Sequence, residues 1–415
     1  MNSRRVFLIL ALISIQANSE QVQLQMPNQV RNGAARECEL TSEDKPKNVK
    51  VTLPNLNSTG RMILGGGGWQ TDIYTKPFVS WVIKNIPEGD EVPVILSAAK
   101  DASGAAAGYA HWQRDLFQGK VRVAPIFTTA GGHQSITLQD MGPGANIKKF
   151  EEEKEDPNGS KSSLTITNVK SPDGAVVPPR IISTDPNAET NLQAIRNART
   201  AIVIDGGMLG ALDHIGGTKL GTELQKAYDR GVTIYASSEG TNAIGRVNLS
   251  LMWPKLGQRT PLAKAGLGVT NDFGVSSHIR DPRLISVLGF GKSTDMSFAD
   301  RNKTIFEATN PYAFMSPMRE LQEKGIDFPM FGVPERSVMA YRQGIAEFRG
   351  ESPESRFYVF DPRYPVNAMC DYYYVKDNSL FDLNTGKVIP RAIQVSSNSH
   401  SPLDDIASYF GGTGH

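Results

Sequence analysis

The 415-residue chain has no charge imbalance, no apolar run long enough to span a bilayer and no cofactor-binding fingerprint. Its formal net charge of +1 leaves no electrostatic footprint for nucleic acid or a lipid surface, so neither is expected as a partner. No segment reaches the ~18 consecutive apolar residues of a membrane-spanning helix. Cysteine is scarce: Cys38 and Cys370 are the whole complement, and neither has a CxxC partner or a neighbouring histidine. That disfavours thiolate metal centres and thiol catalysis, and His111 and His133 lack ligand-like spacing to a carboxylate or cysteine, so no metal is expected. In an oxidising compartment the two cysteines could close one disulfide. Two separate thiols remain equally open, because sequence does not give the distance between them. Gly65-Gly66-Gly67-Gly68 fails the G-x-G-x-x-G spacing and is not followed by Gly-Lys-Ser/Thr, so neither a dinucleotide nor a P-loop nucleotide is expected, and no other cofactor.

What is present begins with a leader. Met1 to Glu20 carries Arg4 and Arg5, an apolar run from Val6 to Ile15, and the small residues Ala17 and Ser19. This is the layout of a secretory signal cut after Ser19, leaving a secreted or periplasmic protein with no membrane anchor. Residues 20–57 are polar and aperiodic, an extension over the surface or a partly disordered one. One α/β domain is expected over 58–395, with excursions near 134–180 and 288–327 and a loose tail at 396–415. The first excursion holds the charge run Glu151 to Asp156 and Pro178-Pro179, which read as solvated insertion.

Between these lies a helix and strand rhythm. Strands are expected at Arg61–Leu64, Val92–Ser97, Val121–Phe127, Thr200–Ile204 and Val232–Ala236, with helices around Phe78–Lys84, Gly104–Trp112, Asn191–Ala198 and Thr222–Tyr228. Such alternation implies a mostly parallel sheet covered on both faces. Towards the end the pattern changes to antiparallel, with one hairpin at Ser337–Arg342 and Ile345–Phe348 and another at Tyr372–Val375 and Phe381–Leu383.

The stretch with most chemistry is Ala236-Ser237-Ser238-Glu239-Gly240, at the exit of the Val232–Ala236 strand. It fits the small-x-Ser-x-Gly pattern of a nucleophile elbow, in which a strand turns so sharply into a helix that only small neighbours fit. Ser238 would be presented at that corner, with the backbone N–H of Glu239 able to meet a developing oxyanion. Serines that simply cap the helix are the competing reading. Asp205-Gly206-Gly207 ends the preceding strand, where ligands bind in open α/β sheets.

Taken in order, Met62–Gly67, Ala201–Gly207, the elbow at Ser238, and Gly266-Leu267-Gly268 followed by His278 resemble the cyanophycinase and dipeptidase E family of serine peptidases. Met330 to Ala340 is similar to the family's Gly-x-Asp-Glu-x-Thr-Ala strand. The resemblance implies a three-layer αβα fold like that of class I glutamine amidotransferases and hydrolysis of a peptide or amide. It also implies Ser238 as nucleophile, His278 as general base, and the N–H groups of Glu239 and Gly207 as oxyanion hole. Gly206, Arg280 and Arg283 would contact substrate, and a homodimer is left open. Two departures stand out. No Asp or Glu lies between Thr241 and Thr270 to orient the imidazole, leaving Gln258, Asn248, Glu239, Asp272 or Asp295 as stand-ins. The family's Ser-Ala-Gly-Ala has become Ser238-Glu239-Gly240-Thr241, which sets a carboxylate beside the nucleophile. Its substrate-reading Gln and Asp-Gln are replaced by Met208 or Leu209 and by Ser276-Ser277, so cyanophycin itself is not the expected substrate. A catalytically inactive binding protein of the same fold is the alternative.

Overall fold

The computed structural model describes residues 36–67, 72–97, 108–109, 111–128, 135–139, 147–153, 163–168, 179–206, 215–248, 264–279 and 316–389. The expected leader at Met1–Ser19, most of the 288–327 excursion and the tail at 396–415 lie outside them.

In chain order the elements are β1 (Glu37–Glu39), β2 (Arg61–Gly65), α1 (Asp72–Asn85), β3 (Glu91–Ser97), a π-helical turn (His111–Leu116) and β4 (Arg122–Thr128). Then come β5 (Ser135–Gln139), β6 (Ile147–Glu153), β7 (Ser163–Asn168), β8 (Pro179–Ser183), α2 (Glu189–Asn197), β9 (Ala201–Asp205), α3 (Lys219–Asp229) and β10 (Thr233–Ser237). After α4 (Glu239–Ala243) follow β11 (Val247–Asn248), β12 (Lys264–Ala265), β13 (Gly274–Ile279), α5 (Ser316–Glu323), β14 (Met330–Pro334) and β15 (Ser337–Arg342). The chain closes with β16 (Ile345–Gly350), β17 (Arg356–Phe360), β18 (Tyr372–Lys376), β19 (Leu380–Asp382) and β20 (Lys387–Ile389).

The main sheet has nine strands in the order β20-β19-β16-β15-β2-β10-β9-β3-β4. From β2 to β4 every neighbouring pair is parallel; from β2 outward through β15 to β20 every pair is antiparallel. Side chains alternate strictly between the two faces, as strand geometry demands. Met62, Leu64, Ile202, Ile204, Ile234 and Ala236 pack with Leu192 and Ile195 of α2 and Leu220, Leu224 and Ala227 of α3. Ile63, Val203 and Tyr235 face the other way, onto Phe78, Val79 and Val82 of α1 and Trp112 of the π-helical turn. Because both faces are covered, these strands read as nearly unbroken apolar runs, and each fully buried aliphatic side chain contributes about 1.5–3 kcal/mol.

A second sheet, β1-β18-β17-β14-β13, lies over the antiparallel half. Phe331, Val333, Phe357, Val359 and Val375 point into the shared core with Met339, Tyr341, Phe348 and Phe381. Its outer face, with Met330, Tyr358, Phe360 and Tyr372, packs on Met318 and Leu321 of α5. Between β4 and α2 the chain makes a separate four-stranded sheet, β6-β7-β5-β8.

Three local expectations change. Tyr372–Val375 and Phe381–Leu383 do not form a hairpin, since β18 pairs with β17 and β1 while β19 pairs with β16 and β20. The connecting turn passes the chain from one sheet to the other, a step that a local pattern of apolar residues does not encode. Likewise Met330–Ala340 is not one strand: it breaks at Glu335-Arg336, where Arg336 has φ 61°, into β14 and β15 of different sheets. The residues described around Trp112 form a π-helical turn, and Gly104–Ala107 lie outside the described residues. The end of the 20–57 extension is held down: β1 pairs in parallel with β18, and Cys38 and Cys370 form a disulfide with Cα atoms 5.7 Å apart.

Candidate active site at the strand-to-helix corner

β10 lies between β2 and β9, with Ser237 in register with Gly65 on one side and Asp205 on the other. The chain has reached β10 by turning back. It runs from β2 out to β3 and β4, returns through β9, and covers opposite faces of the sheet on the two legs. A reversal of this kind opens a crevice at the carboxyl ends of the strands, where α/β proteins place their ligands.

At that end Ser238 adopts φ 59° and ψ −125°. This lies outside the regions that L-residues other than glycine ordinarily occupy, and holding a serine there costs on the order of 1–3 kcal/mol. The surroundings force the conformation by close backbone contact. A Cβ on Gly240 would sit 2.2 Å from the Ile204 carbonyl oxygen, and one on Gly206 would sit 2.4 Å from the Gly240 nitrogen and 2.6 Å from Cβ of Glu239. The first turn of α4 therefore rests on the end of β9 with no room for side chains between them.

Hydrogen bonds then fix the corner. Ser238 N–H donates to the Gly65 carbonyl at 3.3 Å, and Thr241 Oγ1 donates to the same carbonyl at 2.8 Å. The Ser238 carbonyl accepts from Thr241 N at 3.0 Å and from Ser277 Oγ at 2.9 Å. Ser277 N–H donates to Asn242 Oδ1. Thr241, Asn242 and Ser277 are all buried. The positioning role of these three residues is not readable from the sequence, where Thr241 and Ser277 stand out only as departures from the family pattern.

Half-buried Ser238 donates its Oγ–H to Oε2 of Glu239, a residue only 3% exposed. One strand away, Asp205 Oδ2 accepts the Trp112 indole N–H at 2.8 Å. Beneath the corner, burial pushes the Tyr235 hydroxyl up to about 12, and it pairs with Thr75 Oγ1 at 2.7 Å. Tyr235 thus belongs to the packing and stays protonated.

The remaining sequence candidates divide. His278 lies on β13, and its neighbour Ser277 bonds the backbone of Ser238, so β13 runs against the corner. The His278 side chain, together with Gly207, Arg280, Arg283, Gln258 and Asp295, lies outside the described residues, as do Met208, Leu209 and His133. Gly206 is buried beside the elbow. Asn248 is 2% exposed. Asp272 is engaged elsewhere: its Oδ1 accepts Asn55 N–H at 3.0 Å, and its Oδ2 accepts the Tyr341 hydroxyl, which burial and this carboxylate push well above the usual tyrosine range. A small recess there is lined by Asn55, Tyr228, Asp229 and Asp272 among others, none of them from the elbow. Among the described residues no group of three or more His, Cys, Asp or Glu is placed to hold a metal ion. Among them, too, no helix is long and apolar enough to cross a membrane.

No protein-family model matches the chain, and no curated protein does. Among solved structures it is similar to a peptidase from an acI-B1 Actinobacterium, with 10% identity and a TM-score of 0.43, over 79% of this chain and 98% of that one.

Proposed function

We propose that this chain is an exported serine-type hydrolase that cleaves a peptide or amide bond through an acyl ester on Ser238. The observation that carries the reading is the φ of 59° at Ser238, a strained serine at the corner where a central parallel strand becomes a helix. Strain of this kind is retained where the surroundings over-determine it, and at such corners it aims a hydroxyl out of the crevice floor. A cap serine has no need of it, since caps take ordinary extended backbone.

In this reading Ser238 Oγ attacks the scissile carbonyl, and the backbone N–H groups of Glu239 and Gly207 receive the oxyanion. His278, delivered by β13, exchanges protons with the reacting groups. Gly206 lets substrate approach the backbone, and Arg280 and Arg283 meet its carboxylates. The Cys38–Cys370 bond supports an oxidising, extracytoplasmic location, as the leader does. A likeness to cyanophycinases is part of the proposal, with a small peptide or amide preferred to cyanophycin.

One observation favours the alternative of a silent binding protein: Asp272, a carboxylate near β13, is taken up by Tyr341 and Asn55. A fluorophosphonate probe on the purified protein separates the two. Labelling that disappears in Ser238→Ala is expected for the hydrolase. A protein that takes no label but melts at higher temperature with small peptides present would be a binder.

A further inference from the structure

The departure at position 239 has chemistry of its own. A carboxylate now follows the nucleophile directly, and two packing constraints decide where it goes. Gly206 leaves the Glu239 Cβ room to lie over the end of β9, since any side chain at 206 would meet it at 2.6 Å. The strained corner at Ser238 turns Oγ toward the same side, and the result is the Oγ–H to Oε2 hydrogen bond between adjacent residues. With Glu239 only 3% exposed, bulk water has little access to compete for that proton. The nearby Asp205 carboxylate is held by the Trp112 indole.

Resting on the serine-hydrolase reading, we propose that Glu239 is a catalytic residue, the group that takes the Ser238 proton during attack. In the first step Oγ bonds to the substrate carbonyl carbon, the carbonyl π pair moves to its oxygen, and the Oγ proton passes to Oε2. In the second, the carbonyl re-forms, the C–N bond breaks, and the Glu239 carboxyl returns the proton to the departing nitrogen. Water then adds to the ester carbonyl, giving its proton to Glu239, and the serine leaves with that proton. No acid between Thr241 and Thr270 is then needed to prepare the serine. His278 then assists the later proton transfers to the leaving group and from the water.

The test compares probe-labelling rates of wild type, Glu239→Gln, Glu239→Ala and His278→Ala, each first shown to be folded by near-ultraviolet circular dichroism. Glu239→Gln removes the proton acceptor with little change of shape and is expected to label about a hundredfold slower than wild type or worse, and more slowly than His278→Ala. Added formate is expected to restore part of the rate in Glu239→Ala and none in Ser238→Ala. Should the glutamine or alanine variant not fold, Glu239→Asp, which keeps the carboxylate one methylene further back, is expected to label more slowly than wild type. Equal labelling of Glu239→Gln or Glu239→Asp and wild type overturns the role of Glu239, as does a folded Glu239→Ala that formate leaves inert. A wild type that takes no probe overturns the hydrolase reading itself, a separate failure.

Discussion

The elbow and the amino-terminal strap keep their shapes by opposite means. At the elbow, order comes from backbone against backbone: Gly206 and Gly240 admit no Cβ, and Ser238 accepts an unfavourable φ because nothing around it can yield. At the strap, order comes from side chains reaching across a sheet edge. Besides the disulfide, Arg36 forms a two-pronged pair with Asp371 at 3.0 and 3.2 Å, Glu37 accepts from Tyr358 at 2.8 Å and from Arg356, and Lys376 meets Glu39 at 2.8 Å. The first arrangement has no slack and stores strain; the second is a set of separable links. Damage to the strap should cost stability and spare chemistry, and damage to the elbow should cost both.

The largest effect is expected from Cys38→Ser/Cys370→Ser. The bond joins residues 332 apart in sequence, so its loss should lower unfolding free energy by about 4 kcal/mol in urea melts. Probe labelling of Ser238 should persist in the reduced or doubly substituted protein at temperatures where it remains folded. Next comes Gly240→Ala, whose added carbon would lie 2.2 Å from a backbone oxygen in the sheet. The helix must move, and about 3 kcal/mol of stability should go together with labelling. If labelling survived, the elbow would have more give than its contacts imply.

A finer measure of stored strain compares Ser238→Gly with Ser238→Ala. Both lose the hydroxyl, but only glycine relaxes at φ 59°, so it should be more stable than the alanine variant by about 1 kcal/mol. The smallest effect belongs to Asp371→Asn. The hydrogen bonds and charge of Arg36 hold the Asp371 carboxyl below the usual carboxylate range. Its folded pKa is depressed, so its contribution is present above the unfolded value of about 3.9 and is lost as pH falls through the lower folded value. The wild-type and Asp371→Asn melting temperatures should therefore differ slightly at neutral pH and converge at the acid end.

The parallel core was legible in the sequence because burial on both faces leaves a local signature. Runs such as Ala201–Ile204 and Ile234–Ala236 are nearly all apolar and lie beyond breakers such as Gly231, with φ 104°. The elbow was legible for a related reason: crowding at a corner selects small residues at fixed offsets. The partners of Tyr372–Lys376 and Leu380–Asp382 were not legible, because strand pairing is a relation between distant segments and a hairpin period looks the same whichever sheet receives each arm. The positioning roles of Ser277 and Asn242 were not legible either, since they exist only once β13 lies beside α4.

By itself the sequence determined which segments are buried strands and where the sharp corner falls, since both follow from side-chain size and polarity over a few residues. Only the tertiary structure decided that Cys38 meets Cys370, that Asp272 is spent on Tyr341 and Asn55, and that the Glu239 carboxylate turns back onto the Ser238 hydroxyl. Each of these depends on the path of backbone remote in sequence, and the free energy that selects that path is summed over the whole core.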